Sequence, residues 1–424
     1  MALTGKRTFV GFGFGAIQAG LFLYEAYQSD NFGRLVAAEV LPDRVDAVRR
    51  ADGRYGLNIA HEDGIERMEI GPVEIYNPQV DEDRAQIVAA VAQAEEMATA
   101  IPSVRWYASP GPGSLHRTLA AGLREKIRQS GPRAVIYAAE NHNHAAEILR
   151  QAVFGEIPAR EQAEVQAHTR FLNTVIGKMS GVKTNAAELE ALDLRPITPD
   201  TPAAFLVEAF NHILISRIDF GTHPFVRGLK IFEEKADLLP FEEAKLYGHN
   251  GVHALAAYLG GLRGHKFMAD IREDAALMAL LRAAFIEESG GALVRKYAGV
   301  DPLFTSAGYT AYADDLLGRM TNPWLRDTVE RVGRDPARKL GWEDRLVGTM
   351  RLALAQNIQP ERFALGAAAA LRRLGLSASS PADAVRERLR SIWRPSHPTE
   401  DEVELIMALI CQAFSSLLSR PGQT

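Results

Sequence analysis

A chain of 424 residues, 47% hydrophobic and 24% charged, is long enough for two separately cored domains and has the composition of an ordinary globular protein. Its formal net charge of −5 gives no reason to expect nucleic acid or an anionic membrane as partner. Cys411 is the only cysteine, which excludes an intramolecular disulfide and a multi-thiolate metal site and suits a reducing cytoplasm.

Lys6 and Arg7 ahead of the apolar run 9–23 imitate a signal peptide. Gly11, Gly13, Gly15 and Gly20 break that run and no small-residue cleavage site stands out, so it reads as part of the folded chain. No other apolar stretch is long enough to span a membrane. Residues 8–12 read as a buried strand, and 13–20 as a glycine turn opening a helix to about Tyr27. A strand–turn–helix unit of this kind offers backbone N–H groups and a helix N-terminus to a phosphate, which points to Gly13, Phe14, Gly15, Ala16 and Ile17 as cofactor contacts. The register stays open: Gly11, Gly13 and Ala16 fit G-x-G-x-x-G/A, while Gly13, Gly15 and Gly20 give a looser version with Gln18 at the third position. Residues 35–40 form a second strand in which Glu39 stands where an acid binds the adenosine ribose, favouring NAD over NADP. The plain alternative is a solvated Glu at a strand end.

Residues 68–76 alternate about Gly71-Pro72 and read as a hairpin; 86–98 and 115–129 read as helices, and Ile101-Pro102-Ser103 as a segment able to close over a cofactor. Residues 134–139 are an apolar strand followed by Glu140-Asn141-His142-Asn143-His144, where a parallel sheet normally places ligand-binding groups. Two histidines two apart are compatible with a metal, but no further ligands stand nearby, and an amide at the strand terminus facing the cofactor is the better reading. The proline-rich run 195–202 reads as the domain boundary, giving a nucleotide-binding domain over 1–202 and a substrate domain over 203–424. Helical periodicity then fills 242–260, 271–289, 311–320, 342–356, 362–374, 382–393 and 402–418. The expected architecture is α/β: a Rossmann-like doubly wound domain followed by a mostly α-helical one.

The segment Lys245-Leu-Tyr-Gly-His-Asn250-Gly-Val-His253 is the chemical focus of the second half. On a regular helix Lys245, His249, Asn250 and His253 fall within roughly 140°, a polar flank on an otherwise apolar helix. His249 and His253 have the i, i+4 spacing of zinc ligands, but Asn250 replaces the acid of H-E-x-x-H, so no metal is expected. Taken alone, Lys245 and Asn250 also suit a solvated helix face. Arg331, Arg334, Arg338 and Lys339 are candidates for a phosphate clamp, while Asp327 and Glu330, four residues before Arg331 and Arg334, suit ordinary helix ion pairs equally well.

Over nearly its full length the chain resembles the polyol-specific long-chain dehydrogenases, the mannitol dehydrogenase family. The residues that carry this are the K-x-x-x-x-N-x-x-H set Lys245, Asn250 and His253, residues 254–260, Asn322-Pro323 and the run 331–340, which is most similar to the mannitol-1-phosphate 5-dehydrogenase branch. The resemblance implies that Lys245 is the general base, that Asn250 and Asn141 (with Asn143 as runner-up) polarise the substrate oxygen, that His253 positions substrate, and that Arg338 and Lys339 face it. It also implies a site where the two halves meet. Two departures stand out: Gln18 replaces a loop glycine, and an acidic, arginine-bearing substrate segment becomes Ile176-Gly177-Lys178-Met179.

The expected activity is metal-independent, NAD-dependent interconversion of a polyol or polyol phosphate and its ketose, with mannitol 1-phosphate and fructose 6-phosphate leading. A lysine serves as base near neutral pH only if burial or nearby positive charge depresses its pKa. The alternatives are an unphosphorylated polyol or sugar acid such as altronate, and a catalytically silent NAD-binding sensor, suggested by the altered segment 176–179.

Overall fold

The computed structural model describes residues 6–377 and 380–419. The chain forms two compact units, up to Leu238 and from Leu239 onward. In the first, the described residues form twelve strands with helices between some of them: β1 (Arg7–Phe12), β2 (Phe32–Ala38), β3 (Tyr55–Ala60), β4 (Ile65–Ile70), β5 (Glu74–Tyr76), β6 (Glu96–Thr99), β7 (Ala134–Ala138), β8 (Thr169–Val175), β9 (Ser180–Lys183), β10 (Ala204–Glu208), β11 (Ile213–Ser216) and β12 (Phe232–Lys235). Eight make one sheet in the order β12-β11-β8-β7-β6-β1-β2-β5, and four make another in the order β4-β3-β10-β9.

From β5 to β8 the main sheet is parallel, with β1 between β2 and β6. Such a strand is buried on both faces and must be apolar throughout. Phe9 and Val10 show how period-two alternation serves this: they enter different cores on opposite faces. Helices Asp81–Gln93, Leu115–Arg128 and Ala145–Gly155 cover one face with Ile87, Val91, Leu119, Leu123, Leu149 and Val153. The other receives Phe14, Leu21 and Phe22 with the second sheet's Tyr55, Leu57, Phe205 and Val207. This is a Rossmann-like doubly wound unit, and the second unit is almost wholly helical.

Three expectations need correction. Residues 68–76 are not a hairpin: β4 pairs antiparallel with β3 in the small sheet, whereas β5 pairs parallel with β2 in the large one. Residues 86–98 do not form one helix, because the helix stops at Gln93 and Glu96 begins β6. The boundary near residue 202 is displaced to 238/239. The run 195–202 is no linker: Ile197 O accepts from Gly56 N at 2.9 Å, and Asn58 bonds both N and O of Arg195 at 2.8 Å. β10, β11 and β12 lie beyond it yet complete both sheets, so a cut there would strip strands from the first unit.

In the second unit Asn250–Leu262 is a central helix, buried along most of its length. Gly366, on helix Glu361–Arg373, lets Leu255 approach so closely that a Cβ there would lie 2.5 Å from Leu255 Cδ1. Among the described residues no helix is long and apolar enough to cross a membrane.

Candidate active site

The loop after β1 turns on Gly13, whose backbone cannot readily carry a side chain. Gly13 has φ +90°, and a Cβ there would lie 2.7 Å from Ala100 O. Its N–H bonds Ala38 O at 2.8 Å, tying the loop to the end of β2. At Gly15 a Cβ would meet open space, which leaves a cradle over the start of the helix. Phe14 has two separate tasks. Its ring packs edge-on against Tyr55 and Phe205, with centroids at 5.1 and 5.7 Å, while its N–H donates to Glu39 Oε2 at 3.1 Å. Ala16 is buried and Ile17 half-buried at the helix start.

Glu39 lies directly beyond β2 and is buried. Its Oε1 accepts from Leu41 N at 3.0 Å, and its Oε2 also takes Arg44 Nη1 at 3.3 Å. Arg44 reaches Phe14 O as well, at 3.2 Å, so acid, arginine and loop form one unit. Three donors leave part of the carboxylate's capacity for a ribose hydroxyl. Open cradle and acid together fit a dinucleotide.

Gln18 opens a wide helical turn (Gln18–Leu23) and is fully buried, its amide lying where a Cβ on Gly11 would be. Neither amide atom has a partner among the described residues.

At the end of β7, Glu140 and Asn141 diverge. Glu140 is buried and accepts from Thr99 Oγ1 at 2.8 Å, Ile101 N at 2.9 Å and the Tyr107 hydroxyl. It thus pins the loop after β6; burial raises its pKa and these bonds oppose the rise. Asn141 and Asn143 are exposed on the following turn. No group of three or more His, Cys, Asp or Glu residues among those described could hold a metal.

In the second unit Lys245 lies on a wide turn, Ala244–His249, whose closing bond runs from Asn250 N–H to Lys245 O. This i→i+5 bond changes the geometry expected from sequence. A regular helix sets residues five apart about 140° from each other, whereas a wide turn, bonded i to i+5, brings them much closer around the axis. Lys245 and Asn250 therefore share a face. Thr349 Oγ1 bonds Tyr247 O, a carbonyl of the wide turn, at 3.1 Å.

Burial, then the charge of Arg345, lowers the Lys245 pKa to about 8, with Glu242 opposing. Asn250 is half-buried, and its amide has no partner among the described residues. Burial also keeps both histidines neutral: His253 falls to about 4, and His249 lies well below its ordinary value. Their rings stand 6.0 Å apart, and His253 Nε2 is buried without a partner among the described residues.

The basic cluster divides. Lys339 is buried and donates to Val332 O at 2.6 Å and to Arg334 O, capping the helix Val329–Gly333. Its pKa falls to about 8 through burial and then Arg345. Arg331 is clamped by Asp327 in the i, i+4 pair open to it from sequence. Arg334 and Arg338 are exposed, and Arg338 lies 3.5 Å from Asp335 and 3.7 Å from Asp344. In the altered segment Lys178 is buried and satisfied by Glu208 O, Phe210 O at 3.0 Å and Asn211 Oδ1 at 2.6 Å.

Two contributors escaped sequence reasoning. Arg345 influences Lys245, both histidines, Tyr258 and Lys339. Glu288 is buried and accepts from Arg362 N at 2.9 Å and Phe363 N at 3.1 Å, capping helix Glu361–Arg373. An acid beside an arginine at 344–345 is the only sequence signal for the first, and helical periodicity gives none for either.

Residues 7–224 match the mannitol dehydrogenase Rossmann domain and residues 237–390 the mannitol dehydrogenase C-terminal domain. Pseudomonas fluorescens mannitol 2-dehydrogenase, solved as a ternary complex with NAD and D-mannitol, has a similar fold at 19% identity and TM-score 0.71, the match covering 98% of this chain and 92% of that one. A D-sorbitol dehydrogenase solved in substrate-free form has TM-score 0.76 at 15% identity, covering 98% of this chain and 94% of that one. With both domains matched in order over most of its length, the chain belongs to the mannitol dehydrogenase family of oxidoreductases.

Proposed function

We propose that the protein is an NAD-dependent dehydrogenase interconverting a polyol phosphate and a ketose phosphate, with mannitol 1-phosphate and fructose 6-phosphate as the leading pair. NAD supplies the hydride acceptor, and Gly13, Phe14, Gly15, Ala16, Ile17, Glu39 and Asn141 are the residues that would hold it. Neutral Lys245 takes the hydroxyl proton as the carbon–hydrogen pair departs, leaving an ammonium and a carbonyl. The Asn250 and Asn141 amides donate to the oxygen as negative charge builds on it. In reduction the ammonium returns that proton to the forming alkoxide. His253, neutral, positions a substrate hydroxyl. Arg334, Arg338 and Lys339 supply positive charge for a phosphate. The reaction would run in the cytoplasm.

The observation that carries the reading is a lysine with its pKa lowered to about 8, one wide turn from an amide without a partner among the described residues. Lys245→Ala is expected to abolish NADH-monitored turnover while NAD binding persists; unchanged turnover would overturn the reading. A second reading, an unphosphorylated polyol or sugar acid, is favoured by the commitment of Lys339 and Arg331 to other partners. Comparing fructose, fructose 6-phosphate and tagaturonate with NADH separates the two, and NADH binding without turnover of any would indicate a sensor.

A further inference from the structure

Arg345 lies just before helix Val347–Ala355 and backs onto the Lys245 segment. Thr349 Oγ1 bonds both Arg345 O, at 2.6 Å, and Tyr247 O, at 3.1 Å. A Cβ on Gly251, the neighbour of Asn250, would lie 3.0 Å from Arg345 O. The two segments are therefore in backbone contact, and Gly251 permits it. The Arg345 side chain is only 11% exposed, and its Nε is held by Asp344 Oδ1 at 2.7 Å.

Both Nη atoms, in contrast, have no partner among the described residues, and neither is sealed in the interior. A guanidinium fixed at Nε and nearly buried, with its outer N–H groups unmet, has donors set for an acceptor that the chain does not provide. Arg331 differs: both ends of its fork are taken by Asp327. Lys339 differs too, its ammonium being spent on carbonyls. The same charge depresses the basicity of Lys245, His253 and Lys339, so it lies within electrostatic reach of each. Asp344 keeps the fork in one orientation, which suits the paired oxygens of a phosphate better than a scattered set of hydroxyls.

We propose that Arg345 is the substrate-anchoring residue of the Lys245 site, its two Nη groups binding the phosphate of a phosphorylated polyol or ketose. This rests on the dehydrogenase reading above and assigns the phosphate contact to a residue outside the basic run 331–339.

The test is Arg345→Gln and Arg345→Lys in the full-length protein, with fructose 6-phosphate, fructose and inorganic phosphate as probes. A lost charge-assisted pair corresponds to a rise of about 30-fold or more in KM for fructose 6-phosphate in the Gln variant, with kcat reduced far less. Competitive inhibition by inorganic phosphate should vanish, KM for fructose should change less than threefold, and Lys should give an intermediate KM. Equal rises in KM for both sugars, or a loss confined to kcat, would overturn the assignment. If the wild type turns over neither sugar, the dehydrogenase reading fails separately. Calorimetric titration of NADH-loaded protein with inorganic phosphate then decides: binding lost in folded Arg345→Gln supports the anchor, and equal or absent binding in both proteins overturns it.

Discussion

The hydroxyl of Thr349 is shared between the carbonyl of Tyr247, at 3.1 Å, and that of Arg345, at 2.6 Å. One buried side chain thereby joins the wide turn carrying Lys245 to the segment carrying Arg345. The first bond matters more for function, because a wide turn weakens the helical ladder and leaves carbonyls in need of donors. Thr349→Val keeps the volume and deletes the donor. It should lose about 1–2 kcal/mol of stability and about tenfold in turnover, with Thr349→Ser recovering most of both. Thermal melting and initial rates on the same preparations check this.

The Lys245 pKa near 8 fixes the sign of the pH dependence. With Lys245 as the proposed base, oxidation needs the neutral amine, so its kcat/KM should climb with pH up to about 8 and then level. Reduction needs the ammonium and should decline above that value. Profiles in both directions test it, and a limb near the ordinary lysine value of 10.5 would contradict it.

The same burial predicts that Lys245→Met, though inactive, melts at higher temperature than wild type at pH 7, by on the order of 1–3 kcal/mol of stability. Between about 8 and 10.5 the unfolded lysine holds its proton and the folded one does not. Wild-type stability contributed by this group therefore rises across that window, and the advantage of Met should shrink there. Melting curves at pH 7 and pH 10 measure the change.

Glu39 accepts the N–H of Phe14 and neutralises Arg44. Glu39→Ser removes the proposed ribose acceptor and releases a guanidinium beside it. KM for NAD should rise about tenfold or more, and discrimination against NADP should fall, since a freed arginine suits a 2′-phosphate. Steady-state kinetics with both dinucleotides decide it.

Gly248, within the wide turn, lies under Tyr309: a Cβ there would be 2.5 Å from the Tyr309 hydroxyl oxygen and 3.0 Å from Phe285 Cε2. Both rings are fully buried and have nowhere to move. Gly248→Ala should destabilise by about 1–3 kcal/mol, and adding Tyr309→Phe should restore part of that, which a double-mutant cycle in denaturant would show.

Much of this was legible in the sequence where chemistry lies in consecutive residues. Position after a strand singled out the glycine loop and Glu39, and resemblance to a family motif singled out Lys245, Asn250 and His253. The failures share a cause, that pairing partners lie far along the chain. Residues 68–76 alternate like a hairpin, yet β4 finds β3 and β5 finds β2, a choice no local pattern encodes. The run 195–202 has linker composition, but Asn58 holds its backbone. Lys339 was read by its charge, and sequence gives no hint that two carbonyls absorb it. The wide turns were invisible for another reason: residues 244–262 suit an ordinary helix, and only the fold decides where one extra residue is inserted.

That extra residue makes the length of the chain between Lys245 and Asn250 chemically significant. Removing one residue from the intervening Leu246–His249 would let a regular helix run through, gain back a ladder bond and leave the lysine and the amide four apart, about 40° from each other around the axis. Such a deletion is invisible to composition, charge and hydropathy, and it should leave a sturdier protein with the pair still on one face. Straightening the turn without losing a residue would instead part the two by about 140°.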